Sequence, residues 1–402
     1  MTHPARPQSG PHERGAGPTV VVSARGGARW AAGHPWIYRT DVYAEPRSTP
    51  GVVTVTDRRG RRLGQALYSP HSEIRLRLLS RGSDRIDEGW WRERIAAALA
   101  RRTHILDTAF RVVHAEGDGL PSLVLDRYGP YAVAQLLSAG LEAVRADVVQ
   151  AIQGALAPAG ILLRNDVAIR RHERLPLEVA LACGEVPEGV EVREQGLRYV
   201  AAPWTGQKTG AFLDQRENRA LVEAHTAPGG RALDLFAYHG SFALHLARRA
   251  GSVVAVDSSA AALERGRENA ALNGFENITW REANAFDLLR DFERQEERFD
   301  AIVLDPPAFA KTKDRVPRAL AGYKEINLRA MRLLAPGGVL FTCSCSYHVH
   351  RAAFAEMLVA AAADAGRQLR LIAWVGAAPD HPEVLNIPET GYLKGALLAA
   401  AD

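Results

Sequence analysis

Apolar and polar positions follow one rhythm in the first part of this chain and another in the last. From Thr19 to about Arg85 the apolar positions form short alternating runs, "TVVVSA", "GVVTVTD", "GQALYS" and "IRLRLLS", broken by Gly and Pro. That spacing predicts a small β-barrel or sheet. Asp87 to about Leu106 has the amphipathic spacing of a helix, while "SLVLDRYGPYAVAQLL" and "GILLRND" predict strands around a further helix near 141–156. From Trp204 the apolar runs "RALDLFA", "SVVAVD", "ITWRE", "FDAIVLD" and "GVLFTCSC" are separated by helical stretches. This alternation specifies βαβ units and a parallel, doubly wound α/β sheet. In "SSAAALERGRENAALNG" Ser258 or Ser259 is placed as an N-cap and Gly274 as the helix end. After a helix at about 350–365, "LRLIAWV" and "YLKGALLA" follow with only a loop between them, so the sheet should end in an antiparallel edge. The pattern divides the chain into a disordered Pro/Gly-rich tail (1–18), a β module (19–85), an α+β module (86–195) and an α/β domain (196–402).

Composition adds a compartment and a partner. At 402 residues and 47% hydrophobic, the chain can bury a large core. No run of about 18 apolar residues lacks a charge, and the start has no apolar signal region, so the expectation is a cytoplasmic protein without membrane contact and with reduced thiols. The net charge of +4 is unevenly spread: to residue 110 there are 18 Arg against 10 Asp and Glu, about +8, which leaves about −4 beyond. A basic face of this kind points to nucleic acid. "RGGARWAAGHPWIYRTDV" interleaves Trp30, His34, Trp36 and Tyr38 with Arg25, Arg29 and Arg39, as an RNA-binding surface would, although Trp30 and Trp36 also suit the core of a small domain.

Ligands of doubly wound sheets lie beyond the carboxyl ends of the strands. The first strand of the α/β domain ends in "DLFAYHGSF", with Asp234 and a single glycine, Gly240, where a dinucleotide would need three. An acid followed by a tight turn suits a cationic amino or sulfonium group. Asp257 ends the second strand, where an acid accepts ribose hydroxyls, and Asn284 follows the third, in reach of an adenine edge. Ribose, adenine and a cationic amino acid together describe S-adenosylmethionine. The fourth strand ends in "LDPPAFAK", Asp305 to Lys311, whose two prolines make a rigid lip. Methyltransferases acting on exocyclic amines use an Asp/Asn-Pro-Pro-aromatic loop; here Ala308 intervenes before Phe309.

Two of the three cysteines, Cys343 and Cys345, stand two residues apart after the fifth strand's apolar run, with His348 and His350 close behind. Buried filler, a disulfide, a metal site and a nucleophile are the competing readings. One strand places an i,i+2 pair poorly for a disulfide, and zinc sites gather ligands from separate segments, so no metal is expected. Taken together, "DLFAYHGSF", "DPPAFAK", "SCS" and "DHPEVLNIPETGYLK" resemble the bacterial 23S ribosomal RNA large-subunit methyltransferase I-like family, which makes 5-methylcytosine.

The resemblance covers almost the whole chain. It implies an N-terminal PUA-like RNA-binding domain, a middle α+β domain and a class I methyltransferase domain with a Rossmann-like seven-stranded sheet. It further implies that Cys345, between Ser344 and Ser346, adds to carbon 6 of cytosine and that Asp305 contacts N3; Cys343, one pleat earlier on the same side, reads as a buried small hydrophobe. S-adenosylmethionine would then be held by Asp234, Phe236, Tyr238, Gly240, Asp257, Ser258, Asn284, Ala285 and Asp305. Gln215 and Arg216, in "GQKTGAFLDQRENR", would join them. Arg25, Arg29, Trp36, Arg39 and Lys311 would meet 23S ribosomal RNA, and a homodimer is compatible with the sequence. A helix N-terminus after Tyr347 is expected to lower the thiol pKa of Cys345. An RNA amine methyltransferase and a non-catalytic RNA-binding protein stand as alternatives, and only the 5-methylcytosine reading needs the thiol.

Overall fold

The computed structural model describes residues 18–46, 49–310 and 312–401. Residues 1–17 of the predicted tail, and Lys311, lie outside the described residues.

Six strands between Thr19 and Ser80 form the first sheet, around a core of Val20, Val22, Trp30, Ile37, Val55, Tyr68 and Leu76. Ala24–Ala31 is a helix, which the β-type alternation on either side does not predict. Two glycines weaken that helix, but Ser23 caps it by accepting the Gly26 N–H at 3.1 Å. A Cβ on Gly26 would lie 3.2 Å from Asp41 Cβ, so the helix crosses its neighbour at a distance that favours glycine. Trp30 belongs to the core and is 1% exposed.

The middle module is a five-stranded sheet between Ala109 and Gly184, with helices Glu88–Ala100 and Arg145–Leu156 packed around Trp91, Ile95, Val148 and Ile152. A hairpin, Val190–Glu194 with Leu197–Ala201, leads into the last domain. There Val192 and Tyr199 share one cluster with Tyr128 and Leu162 of the middle sheet and with Leu244 and Ala270 of the last domain. A buried ion pair ties the hairpin down, Arg219 donating from Nε and Nη2 to Glu194 at 2.6 Å each.

The last domain is built on a seven-stranded sheet. In spatial order its strands are Ile278–Glu282, Ser252–Asp257, Arg231–Leu235, Phe299–Leu304, Leu334–Ser344, Lys394–Ala400 and Leu369–Val375. The first five are parallel, and Lys394–Ala400 runs antiparallel to both of its neighbours. Both faces are covered, which is why these strands read as continuous apolar runs. Leu233, Leu235 and Ile302 pack on one face, and Ala232, Ala301 and Val303 on the other. Strand order reverses between Arg231–Leu235 and Phe299–Leu304, and a ligand crevice belongs at that switch point. No described helix is long and apolar enough to cross a membrane.

Candidate active site

At the carboxyl ends of these strands lies a cavity of about 560 Å3. Its wall takes Phe236, Tyr238 and His239 from the first strand's loop, Asp257, Ser258 and Ser259 from the second, Asp305 to Ala308 from the fourth, and Cys345 from the fifth. The first loop is strained: Phe236 and Tyr238 have φ of 65° and 50°, a region that costs a non-glycine residue free energy. It is held there by Ala237 N–H donating to Val256 O and Tyr238 N–H donating to Asp257 Oδ2, both at 2.9 Å. Gly240, at φ 81°, caps the following helix, and a Cβ there would strike the Trp280 ring. Its job is thus a turn and a close approach; it does not line the cavity.

Asp234 is 1% exposed, and among the described residues neither carboxylate oxygen has a well-formed hydrogen bond, the Ala243 N–H giving it only weak relief. Burial, with Asp305 nearby, pushes its pKa well above the usual carboxylate range. An unsatisfied buried acid is costly unless something cationic or donating reaches it. Asp257 lines the cavity with one oxygen on Tyr238 N–H and the other on Ser259 N–H, which leaves each oxygen a further lone pair. Asp257 suits a diol such as the ribose of S-adenosylmethionine, whereas Asp234 does not itself line the cavity.

Three further residues expected to hold the cofactor do not line this cavity. Arg216 is buried away from the cavity and makes ion pairs with Asp380 at 3.1 Å and Glu217 at 2.8 Å. Asn284 and Ala285 also lie outside the lining; Asn284 Oδ1 accepts the N–H groups of Phe286 and Asp287 and so caps a helix. Gln215 does line the cavity and donates to Asp305 Oδ1 at 3.0 Å.

The chemical centre is the junction of Asp305 with the two thiols. Cys343 is fully buried and donates to Asp305 Oδ1 at 2.9 Å. Cys345 faces the cavity. Burial, and then Asp305, push the Cys345 thiol up to about 11, and Lys208 across the cavity pulls the other way. The helix expected to assist begins only at Arg351, six residues past Cys345. The turn after Cys345 is fixed from behind: Ser346 Oγ accepts the Ala310 N–H and meets Tyr323 Oη at 2.9 Å, and Lys394 Nζ donates to Ser346 O and Val349 O. Lys394 is 4% exposed, and burial lowers its pKa to about 8. Asp305 itself is raised by burial.

Sequence reasoning missed Lys208, Phe212, Asp214 and Tyr392 in the wall. Burial opposes ionisation of Asp214, but Lys208 and His381 outweigh it, and Lys208 Nζ and Tyr392 Oη each donate to its Oδ2 at 2.6 Å. The spacing of Lys208 and Asp214 within "GQKTGAFLDQRENR" was the available signal. Among the described residues no cluster of His, Cys, Asp or Glu is placed to hold a metal ion.

The expected RNA contacts are mostly engaged elsewhere. Arg25 pairs with Asp41 at 2.5 Å and Arg39 with Glu73 at 3.1 Å, while Arg29 lies 4.8 Å over the Tyr38 ring. Trp36 Nε1 donates to Glu116 of the middle module at 2.9 Å, which makes it a junction residue.

A five-strand parallel sheet with an antiparallel edge and acids at successive strand ends defines a class I methyltransferase. A family model described as S-adenosylmethionine-dependent methyltransferase matches residues 134–398, and one described as a PUA-like domain matches residues 20–81. The chain is 37% identical over 378 residues to ribosomal RNA large subunit methyltransferase I of Pseudoalteromonas atlantica, covering 90% of this chain and 94% of that protein. The protein of the same name from Shewanella amazonensis is 39% identical over 373 residues, covering 90% and 94%. A Streptococcus mutans structure assigned as an S-adenosylmethionine-dependent methyltransferase matches in fold, with a TM-score of 0.80 at 19% identity, covering 95% of this chain and 99% of that one. This chain belongs to the ribosomal RNA large subunit methyltransferase I family.

Proposed function

We propose that the protein methylates carbon 5 of a cytosine in 23S ribosomal RNA through a covalent bond from Cys345 to carbon 6. In this reading residues 19–85 hold RNA, 86–195 brace the junction and 196–402 do the chemistry. The names of the family's members support ribosomal RNA as the substrate. The observation that carries the mechanism is a cavity-facing thiol, Cys345, sharing one wall with a half-buried acid, Asp305.

Carbon 5 of cytosine is a weak nucleophile. Addition of the Cys345 thiolate to carbon 6 makes an enamine whose carbon 5 is nucleophilic, which splits one hard step into easier ones. S-adenosylmethionine supplies the methyl group as a sulfonium electrophile. Loss of the carbon 5 proton then expels the thiolate and restores the ring. Asp305, raised by burial, suits a protonated acid that donates to N3. A neutral Asp305 also removes the negative neighbour that holds the Cys345 thiol up. Cys343 and Gln215 both bind Asp305 Oδ1, which orients the carboxyl. The thiolate approaches from above the ring plane, so the cytosine must leave its stack. That costs a few kcal/mol from a duplex and least for an unpaired base, which favours a loop or bulge.

The amine-methylating alternative fits less well. The Phe309 ring packs on Tyr323 at 4.5 Å between centroids, and Ala308, not Phe309, lines the cavity. The test is RNA carrying 5-fluorocytidine, whose fluorine cannot leave as a proton does. A denaturation-resistant complex should form only with S-adenosylmethionine and map by peptide mass to Cys345. An adduct on Cys343, or none on RNA that the enzyme methylates when unfluorinated, would overturn the assignment.

A further inference from the structure

The arginines that sequence reading assigned to RNA are not the ones left without acids. A groove of about 990 Å3 runs between helix Ala24–Ala31 and the turn joining strands Gly51–Asp57 and Arg62–Tyr68. Arg58, Arg59, Arg61, Arg62 and Arg81 line it, and all five are exposed. Asp57 is the one acid in the wall. It is already spent, on the Arg61 side chain at 3.1 Å and on the Arg59 and Arg61 N–H groups at 2.9 and 3.0 Å. Arg58 lies 4.3 Å over the Tyr43 ring, and Arg81 donates to Trp30 O. Among the described residues, the Arg59 and Arg62 side chains have no carboxylate partner.

Exposed arginines converging without acids repel one another, and an anionic ligand relieves that repulsion. The guanidinium fork matches phosphate oxygens. Several forks spread along one groove match a chain of phosphates better than a single anion. The floor is Ala24, Gly27, Ala28 and Ala31, and a Cβ on Gly27 would meet only Leu63 Cδ1 at 3.5 Å, so a backbone can lie close against it. The aromatic ring in the wall, Trp30, is 1% exposed and offers no stacking face.

We propose that this groove binds the phosphate backbone of the RNA flanking the target cytosine, without reading bases. The proposal rests on the RNA reading above and moves the contact from Arg25, Arg29, Trp36 and Arg39 to Arg58, Arg59, Arg62 and Arg81. Contacts of this kind set affinity and register but carry no sequence information.

The test compares the full chain with Arg59→Gln/Arg62→Gln, following binding of single-stranded oligouridylate as salt rises from about 50 to about 200 mM. Each phosphate neutralised on a single strand contributes about 0.7 to the slope of log affinity against log salt, so the double variant should be shallower by about 1.4. Oligocytidylate should lose the same amount. Unchanged cofactor affinity and thermal midpoint show that the variant is folded. An unchanged slope in this variant, with a flattened one in Arg25→Gln/Arg39→Gln, would overturn the groove and leave the RNA reading intact. Wild-type protein without salt-dependent RNA binding would overturn the RNA reading as well. Polyglutamate competing as well as RNA would reassign the groove to an acidic peptide.

Discussion

The strand-end cavity and the arginine groove are both lined by charge, yet they are built on opposite terms. In the cavity the charged groups beside the thiol are partly or wholly buried and wired to named neighbours: Asp214 to Lys208 and Tyr392, Asp305 to Cys343 and Gln215. In the groove the side chains stand in water, and among the described residues Arg59 and Arg62 pair with no carboxylate. Low local polarity makes a cavity group strong and its loss severe. Screening makes a groove group weak singly and additive with its neighbours. Chemistry needs the first arrangement, and tracking a long polyanion needs only the second.

The largest effect should come from Cys345→Ala. Methyl transfer at saturating RNA should fall at least about a thousandfold, as for removal of other covalent nucleophiles, with RNA affinity unchanged at every salt concentration. A single-turnover assay with labelled cofactor reads both. Near-normal transfer would end the covalent mechanism, and a loss that varied with salt would break the contrast with the groove. Asp305→Ala comes next, at about a hundredfold in the same assay, the usual loss for one preorganised donor. A loss seen only in RNA affinity would place Asp305 among binding groups and erase its difference from the arginines.

The cavity was more legible in the sequence than the groove, for a physical reason. Strands of a parallel sheet end where their apolar runs end, so Asp257 and Asp305 announce their place on one crevice. Cys345 is legible in the same way, one residue past its strand. Partner choice is not written locally. Arg216 looks like a cofactor ligand until Asp380, 164 residues later, is folded beside it. Asn284 reads both as an adenine contact and as the N-cap it forms, because the two roles use the same side chain at the same kind of position. The arginines of "RGGARWAAGHPWIYRTDV" find their acids, Asp41 and Glu73, 16 and 34 positions away, whereas those of "DRRGRR" sit on a turn with one acid among them. Lys394 defeats the expectation that lysine is exposed, since only the fold brings it to the carbonyls behind Cys345.

The smallest effect per step is also the one that separates the two regions most cleanly. The reactive form of Cys345 is the thiolate, and burial with Asp305 holds the thiol up to about 11. Below that value the thiolate fraction rises about tenfold per pH unit. Single-turnover adduct formation on 5-fluorocytidine RNA should therefore climb with a log–log slope near +1 between about pH 6 and about pH 8.5, levelling only as the pH nears the thiol pKa. Asp305 raises the thiol only while it is ionised, so with a neutral Asp305 in the complex the Asp305→Ala profile should keep its pH dependence as its height falls; a shift toward lower pH would show an ionised Asp305 instead. RNA affinity should stay flat over the same range, because guanidinium keeps its proton throughout. A flat rate from pH 6 to 8 would mean that the thiol is already ionised in the complex. The positive charges around it would then outweigh the burial that raises it in the free protein.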